Sequence, residues 1–256
     1  MAKFIIVNEM TVYRHLRILV VALVAMTVLA GLAQTKGDIT ARINRKANVS
    51  VKAPAALASR SNTELNRDNT GQNLPYLLSA TPSFITVSED GLGVGYTHFT
   101  IRGTNDTRIN MTVNDVPLND AESSTVFWIN MADFAGSLGQ LNVQRGVGTS
   151  PNGSAAFGAS VNMNTLSASR RADAPTHVEL GFNGGMYHTF REMVSADVKL
   201  PHHMRAQAQL SKVNSNGYRD RASSDLFSYY GALGYYGNKT TVAFTTFGGM
   251  EKVYVA

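Results

Sequence analysis

Two glycine-rich stretches, Gly146-Val147-Gly148 and Gly91-Leu92-Gly93, are of the type that cradles phosphate, so nucleotide chemistry is the first possibility to test. Neither holds the pattern. Pro151 stands where a dinucleotide fingerprint places its third Gly, and Gly148 to Ser154 has the gap of a Walker loop without its Lys. A serine nucleophile fares no better, because Gly158-Ala159-Ser160-Val161-Asn162 ends in Asn where the tight strand-to-helix turn needs Gly. No His falls at metal-ligand spacing; His202 and His203 are adjacent in a turn and point apart. With no nucleophile, acid pair or metal constellation, the chain reads as a non-enzyme without metal or cofactor. What recurs is a pair of Arg-Gly elements, Ile101-Arg102-Gly103 and Gln144-Arg145-Gly146, each setting a planar, permanent cation at a strand end.

Composition narrows the elements that position these residues. Charged residues are 16% of the 256, below the usual share of about 25%, while 22 Gly, 10 Tyr and 11 Phe favour short strands and tight turns over long helices. The formal charge of +5 comes from scattered Lys and Arg with no basic run, so it is read as solvated surface and not as a nucleic-acid interface. The absence of Cys excludes disulfides and thiolate metal sites and suits an oxidising compartment.

The N-terminus supplies an address. Lys3, Arg14, His15 and Arg17 precede an apolar run from Ile18 to Ala33 that closes on Gly31-Leu32-Ala33, the small-x-small pattern of a secretory signal cleaved before Gln34. The run is shorter than the roughly 20 residues of a spanning helix. Met10 stands directly before the basic segment, so translation starts at Met1 or at Met10. Residues 34–66 are polar, free of aromatics and aperiodic, as in an extended, mobile segment. Within it Asn48-Val49-Ser50-Val51-Lys52-Ala53 alternates like a short strand that could pair with a partner's sheet edge; a linker containing two Val accounts for it equally.

Order is expected from about Thr70. Leu74, Leu77 and Leu78 predict a short helix stopped by Pro82, followed by strands at Phe84 to Val87 and His98 to Arg102 around the Gly91 to Gly95 loop. Ile109 to Val113 and Val116 to Leu118 flank Asn114-Asp115, which predicts a hairpin; Leu138 to Gln144 is strand-like again. After Arg171 the pattern becomes a series of about five longer strands, each with one apolar face: Val178 to Phe182, Val194 to Leu200, Ala206 to Leu210, Phe227 to Tyr235, and a fifth from Val242. Their connections are short at Pro201 to Met204 and Gly237 to Lys239 but long and polar at Asn214 to Asp225, the habit of outer-membrane barrels; the short Gly184 to His188 connection weakens that contrast.

From about Thr70 to Thr165 the chain resembles the TonB-dependent receptor plug. That family carries Ile-Arg-Gly, a hairpin of the type Val-Asn-Gly-Val-Pro-Leu, then Arg-Gly, a small-residue loop, Tyr-Gly, and Ile-Asn before a Thr. Here the matching residues are Ile101, Arg102 and Gly103, then Arg145, Gly146, Gly148, Gly158 and Asn162, with departures at Asp115 in place of Gly, Phe157 in place of Tyr, and Ala159-Ser160. The resemblance implies that Arg102 and Arg145 pair with acidic groups on the inner barrel wall, which a buried Arg would require. It also implies contact of TonB with the segment before the plug, at Val49 and Val51. The ligand would be met by the loops containing Tyr96, His98, Glu122 and Phe127.

The expected fold class is an α/β plug domain followed by the first antiparallel strands of an incomplete transmembrane β-barrel: signal peptide 1–33, flexible TonB-contacting segment 34–66, plug 67–169, and barrel strands over 176–256. A 22-stranded barrel needs roughly 220 residues in strands alone, and residues 176–256 supply well under half of that, so the sequence reads as a fragment, inactive alone. The implied function of the intact protein is TonB-energised uptake across the outer membrane of a scarce ligand, an iron siderophore or haem ahead of cobalamin or a glycan, with TonB, the small ligand and outer-membrane lipid as partners. The rival is a soluble periplasmic or cell-surface β-rich binding domain, which would bury Phe227, Tyr229, Leu233 and Tyr235 in a core instead of facing them to lipid.

Overall fold

Alternating apolar residues build the first of two principal sheets in the computed structural model, which describes residues 56–147, 156–169, 175–237 and 240–253. Strands β1 (Ala56–Ser61), β5 (Ile109–Val113), β6 (Val116–Pro117), β7 (Leu138–Arg145) and β8 (Ala159–Thr165) lie in the order β1-β7-β8-β5-β6. Only the central β5–β8 pair is parallel, and β5 is buried along its whole length, as a strand covered on both faces must be. Ile109, Met111, Leu138, Leu141, Val161 and Met163 are among the residues that fill its core. A smaller sheet of β2 (Phe84–Ser88), β3 (Thr97–Ile101) and β4 (Thr104–Asn105) caps this core through Phe84 stacked on Phe99, with centroids 4.9 Å apart, and Trp128 edge-on to Phe99.

Secondary structure is present from Ala56, earlier than the Thr70 expected from composition. β1 pairs with β7, and α1 (Asn62–Asp68) follows at once, started by a reciprocal capping box between Ser61 and Glu64. The predicted helix after Thr70 is shorter than its periodicity suggested. Gly71 at φ +99° keeps the chain out of helix, and α2 (Leu74–Leu77) begins only at Leu74, with Pro75 in its first turn. Asn114 and Asp115 adopt φ of 50° and 71°, the paired positive values of the predicted two-residue hairpin turn.

After α3 (Leu166–Ser169) come β9 (His177–Gly185), β10 (Thr189–Leu200), β11 (Met204–Ser215), β12 (Ser224–Tyr236) and β13 (Thr241–Val253), paired antiparallel in sequence order as one open five-stranded sheet. Its two faces differ sharply. Leu226, Ser228, Tyr230 and Ala232 of β12 are buried against the first domain, and Tyr230 and Ala232 join its core, while Tyr229 among them and Tyr235 further along stay 42% exposed. Across the sheet Leu180, Val194, Leu210 and Tyr229 line up in register on the outer side. That arrangement is the one expected of a barrel wall and not of a soluble sandwich.

Candidate functional site

A cleft of about 300 Å³ opens between the two parts of the molecule, lined by Glu89, Asp90, Gly95 and Tyr96 on one side and Arg219, Asp220, Arg221, Ala222 and Ser224 on the other. The first wall is a turn tied to itself. Asp90 accepts from the backbone N–H of Gly93 at 2.9 Å and of Val94 at 3.0 Å, and Ser88 Oγ accepts a further bond from Gly93. Gly93, at φ +87°, also lies under the ring of Tyr76, where an added Cβ would come within 2.6 Å of Cδ2. The second wall is the long β11–β12 loop, held down by the Tyr218 N–H donating to Asp90 O at 2.9 Å and by an edge-on contact between Tyr218 and Tyr187 of the β9–β10 turn. Exposed Arg219, Arg221, Glu89 and Asp220 with a half-buried tyrosine ring make a polar cleft of mixed charge, suited to a small ligand bearing both ionised and flat groups.

Of the residues expected to meet a ligand, Tyr96 lines this cleft. His98 is exposed on β3 and faces Asp106, with Nδ1 3.8 Å from the carboxylate. Glu122 and Phe127 sit exposed on the Asn119 to Phe127 loop, where the Asp120 carboxylate accepts from the N–H groups of Glu122 and Ser123; the structure does not bring either to the cleft. These bonds, those from Ser123 foremost, hold the Asp120 carboxyl below its ordinary value.

The Arg-Gly elements do come together. Ile101 is buried in the core, and Arg102 and Gly103, both at positive φ, form the β3–β4 turn. The Arg102 guanidinium lies beside Gly146, Arg145 donates to the carbonyl of Pro82 at 2.9 Å, and Gly146 N–H donates to Gly158 O at 2.8 Å. Gly158 is required by proximity, since a Cβ there would lie 2.6 Å from that of Thr104. Asn162 accepts from Thr112 across the parallel pair. Among the described residues neither arginine meets a carboxylate, so the wall partners expected for Arg102 and Arg145 are not found here. Gly148, Val49 and Val51, and the signal peptide, lie outside the described residues.

The charged contact between the two parts is made by a residue the sequence did not single out. Asp133, at φ +50° and with a fully buried side chain, accepts from Arg191 Nε of β10 at 2.9 Å, from Ser211 Oγ of β11 and from Asn69 Nδ2 at 2.6 Å. Its carbonyl accepts from Gln209 Nε2 at 3.1 Å. Below it, Arg205 and Asp197 form a second buried pair at 2.5 Å, and Tyr230 donates to Ser167 Oγ at 3.1 Å. A lone Asp in Met131-Ala132-Asp133-Phe134-Ala135 was the only available signal. Among the described residues no group of three or more His, Asp or Glu could hold a metal ion.

Residues 50–160 match the TonB-dependent receptor plug domain family. No curated protein matches the chain. Among solved structures it is similar to a copper transporter, OprC, with a TM-score of 0.63 and 14% identity over 77% of this chain and 31% of that one. It is similar also to the pyoverdine outer membrane receptor FpvA from Pseudomonas aeruginosa PAO1, with a TM-score of 0.59 and 16% identity over 78% and 28%. The ferric yersiniabactin uptake receptor FyuA from Yersinia pestis gives a TM-score of 0.57 and 12% identity over 75% and 31%. The chain thus spans about a third of the length of these structures, and at such identities the likeness is one of fold. Residues 50–160 therefore belong to the TonB-dependent receptor plug domain family, and the strands that follow form an open antiparallel sheet resembling part of such a receptor's barrel.

Proposed function

We propose that the protein is exported through a cleaved signal peptide and that its full-length form, with a complete barrel, serves in the outer membrane as a receptor for TonB-energised uptake of a scarce ligand, an iron siderophore or haem, on which it performs no chemistry. The observation that carries this reading is the cleft between the Tyr96 turn of the plug and the Arg219 to Ser224 loop of the sheet, where a ligand would touch both bodies at once. The outward row of Leu180, Val194, Leu210 and Tyr229 supports a lipid-facing wall. Similar structures include receptors for pyoverdine and for ferric yersiniabactin, which supports the ligand class. In this reading TonB adds a strand at Val49 and Val51. In a full-length version with a complete barrel, substituting either by Pro, which cannot donate to a ladder, abolishes uptake of radioactive iron supplied as ferric siderophores or as haem, yet leaves surface binding intact. Equal uptake by variant and parent would move the TonB contact elsewhere.

A further inference from the structure

The segment Asn69 to Asn73 touches both the cleft-forming turn and the buried Asp133–Arg191 pair. At one end, buried Asn73 donates through its backbone N–H to Gly93 O at 2.7 Å and through Nδ2 to Gly95 O at 2.6 Å and Thr97 Oγ1 at 3.0 Å. Three of its bonds thus hold the turn that forms one wall of the cleft. At the other end, buried Asn69 spends Nδ2 on the Asp133 carboxylate at 2.6 Å, and its Oδ1 accepts from Gly71 N–H at 3.0 Å. Gly71 itself packs on the stem of Arg191, with an added Cβ reaching 3.2 Å from the arginine Cβ.

We infer that Asn69 to Asn73 is a brace that couples the position of the cleft-forming turn to the ion pair fastening the plug to the sheet. Asn69 and Asn73 are its positioning residues. The stretch is only five residues long and is anchored at both ends by buried side-chain hydrogen bonds, so a displacement at Gly95 is passed along it to Asn69. A ligand pressing on Gly95 and Tyr96 would draw Asn73 with the turn and withdraw the Asn69 amide from Asp133. The carboxylate would then be held from the sheet side alone, through Arg191 and Ser211. Coupling of this kind is reciprocal: loosening the ion pair must also loosen the turn. The role of the cleft rests on the uptake reading above, but the mechanical coupling can be measured without ligand or TonB.

The test is hydrogen exchange on the full chain in detergent micelles, comparing the parent with Asn73→Ala, Asp133→Asn and the double variant. The expected result is that each single substitution speeds exchange at both ends, residues 91–97 and 131–135, by about fivefold or more, the lower end of ordinary coupling factors. Protection of β8 stays unchanged, and the double variant adds little to either single one. Acceleration confined to the substituted end, with additive effects in the double variant, overturns the brace. Should Asp133→Asn loosen β8 as well, Ser211→Ala removes one donor while keeping the charge pair, and acceleration at residues 91–97 supports the brace while its confinement to the Asp133 side overturns it. A positive result with no iron uptake by a full-length version in cells would leave the brace standing and sink the uptake reading alone.

Discussion

Asp133 carries its charge where water cannot reach it, so its stability depends on the donors that converge on it from three elements. Removing one charge of such a pair leaves the other buried and uncompensated. Arg191→Ala is therefore expected to cost about 3–5 kcal/mol, whereas joint replacement by Asp133→Asn and Arg191→Met costs much less, because no charge is then left unpaired. Urea unfolding in detergent, followed by the fluorescence of Trp128, the only tryptophan and 3% exposed, measures both. A loss equal in the single and joint variants would show that packing, and not charge, fixes this point. Sequence alone did not reveal the pair, because Asp133 and Arg191 are distant in the chain and each sits in a locally unremarkable pattern. Tyr96 was legible because a glycine-rich loop beside an aromatic is a local signal, whereas Arg219 and Arg221 were passed over as ordinary loop charge.

At the scale of elements, α1 and its capping box supply a pH-dependent joint between β1 and the rest of the plug. The Ser61 backbone N–H donates to the Glu64 carboxylate at 2.7 Å and its hydroxyl at 2.8 Å, and these bonds, the backbone one first, hold the Glu64 carboxyl below its ordinary value. A depressed acid stabilises the fold above its unfolded value and loses that contribution as pH falls through the folded one. Carbon NMR should therefore place the Glu64 midpoint below the ordinary glutamate range, with Ser61→Ala moving it part of the way back and Glu64→Gln removing the acid dependence of the residue 61 amide shift, Asp68 at the other end of α1 titrating separately. The Arg-Gly end makes a second element-scale prediction. Gly158→Ala drives a Cβ into Thr104 and should cost about 1–3 kcal/mol by urea unfolding, while Gly103→Asn, in open space at a φ that Asn tolerates, should cost less than about 1 kcal/mol. The long strands were legible because one face of each is apolar at period two. β1 and α1 were not, since their half-exposed polar residues hide a role set by pairing with β7 and by the cap.

For the whole molecule the decisive quantity is what the five-stranded sheet leaves uncovered. Its inner face is occupied by the plug, but among the described residues β9 and β13 each have an edge with no neighbouring strand, and the outer face presents Leu180, Phe182, Phe190, Leu210, Tyr229 and Phe244. Only toward the 216–223 loop does that face turn charged, where Lys212 pairs with Asp225. Unpaired edges beside an apolar face are a template for association with other chains, and detergent covers the face. Residues 34–256 are therefore expected to self-associate in buffer and to disperse in detergent, whereas residues 34–169, which lack this sheet, stay in solution. The shorter chain should nonetheless be looser around residues 131–135, because the Asp133 carboxylate loses Arg191 and Ser211 and keeps only Asn69, and its carbonyl loses Gln209. Light scattering with and without detergent, joined to hydrogen exchange on both lengths, measures the two effects. A 34–256 chain that is monomeric and folds cooperatively in plain buffer would mean that the outer face needs no lipid, and the soluble β-domain would then displace the membrane receptor.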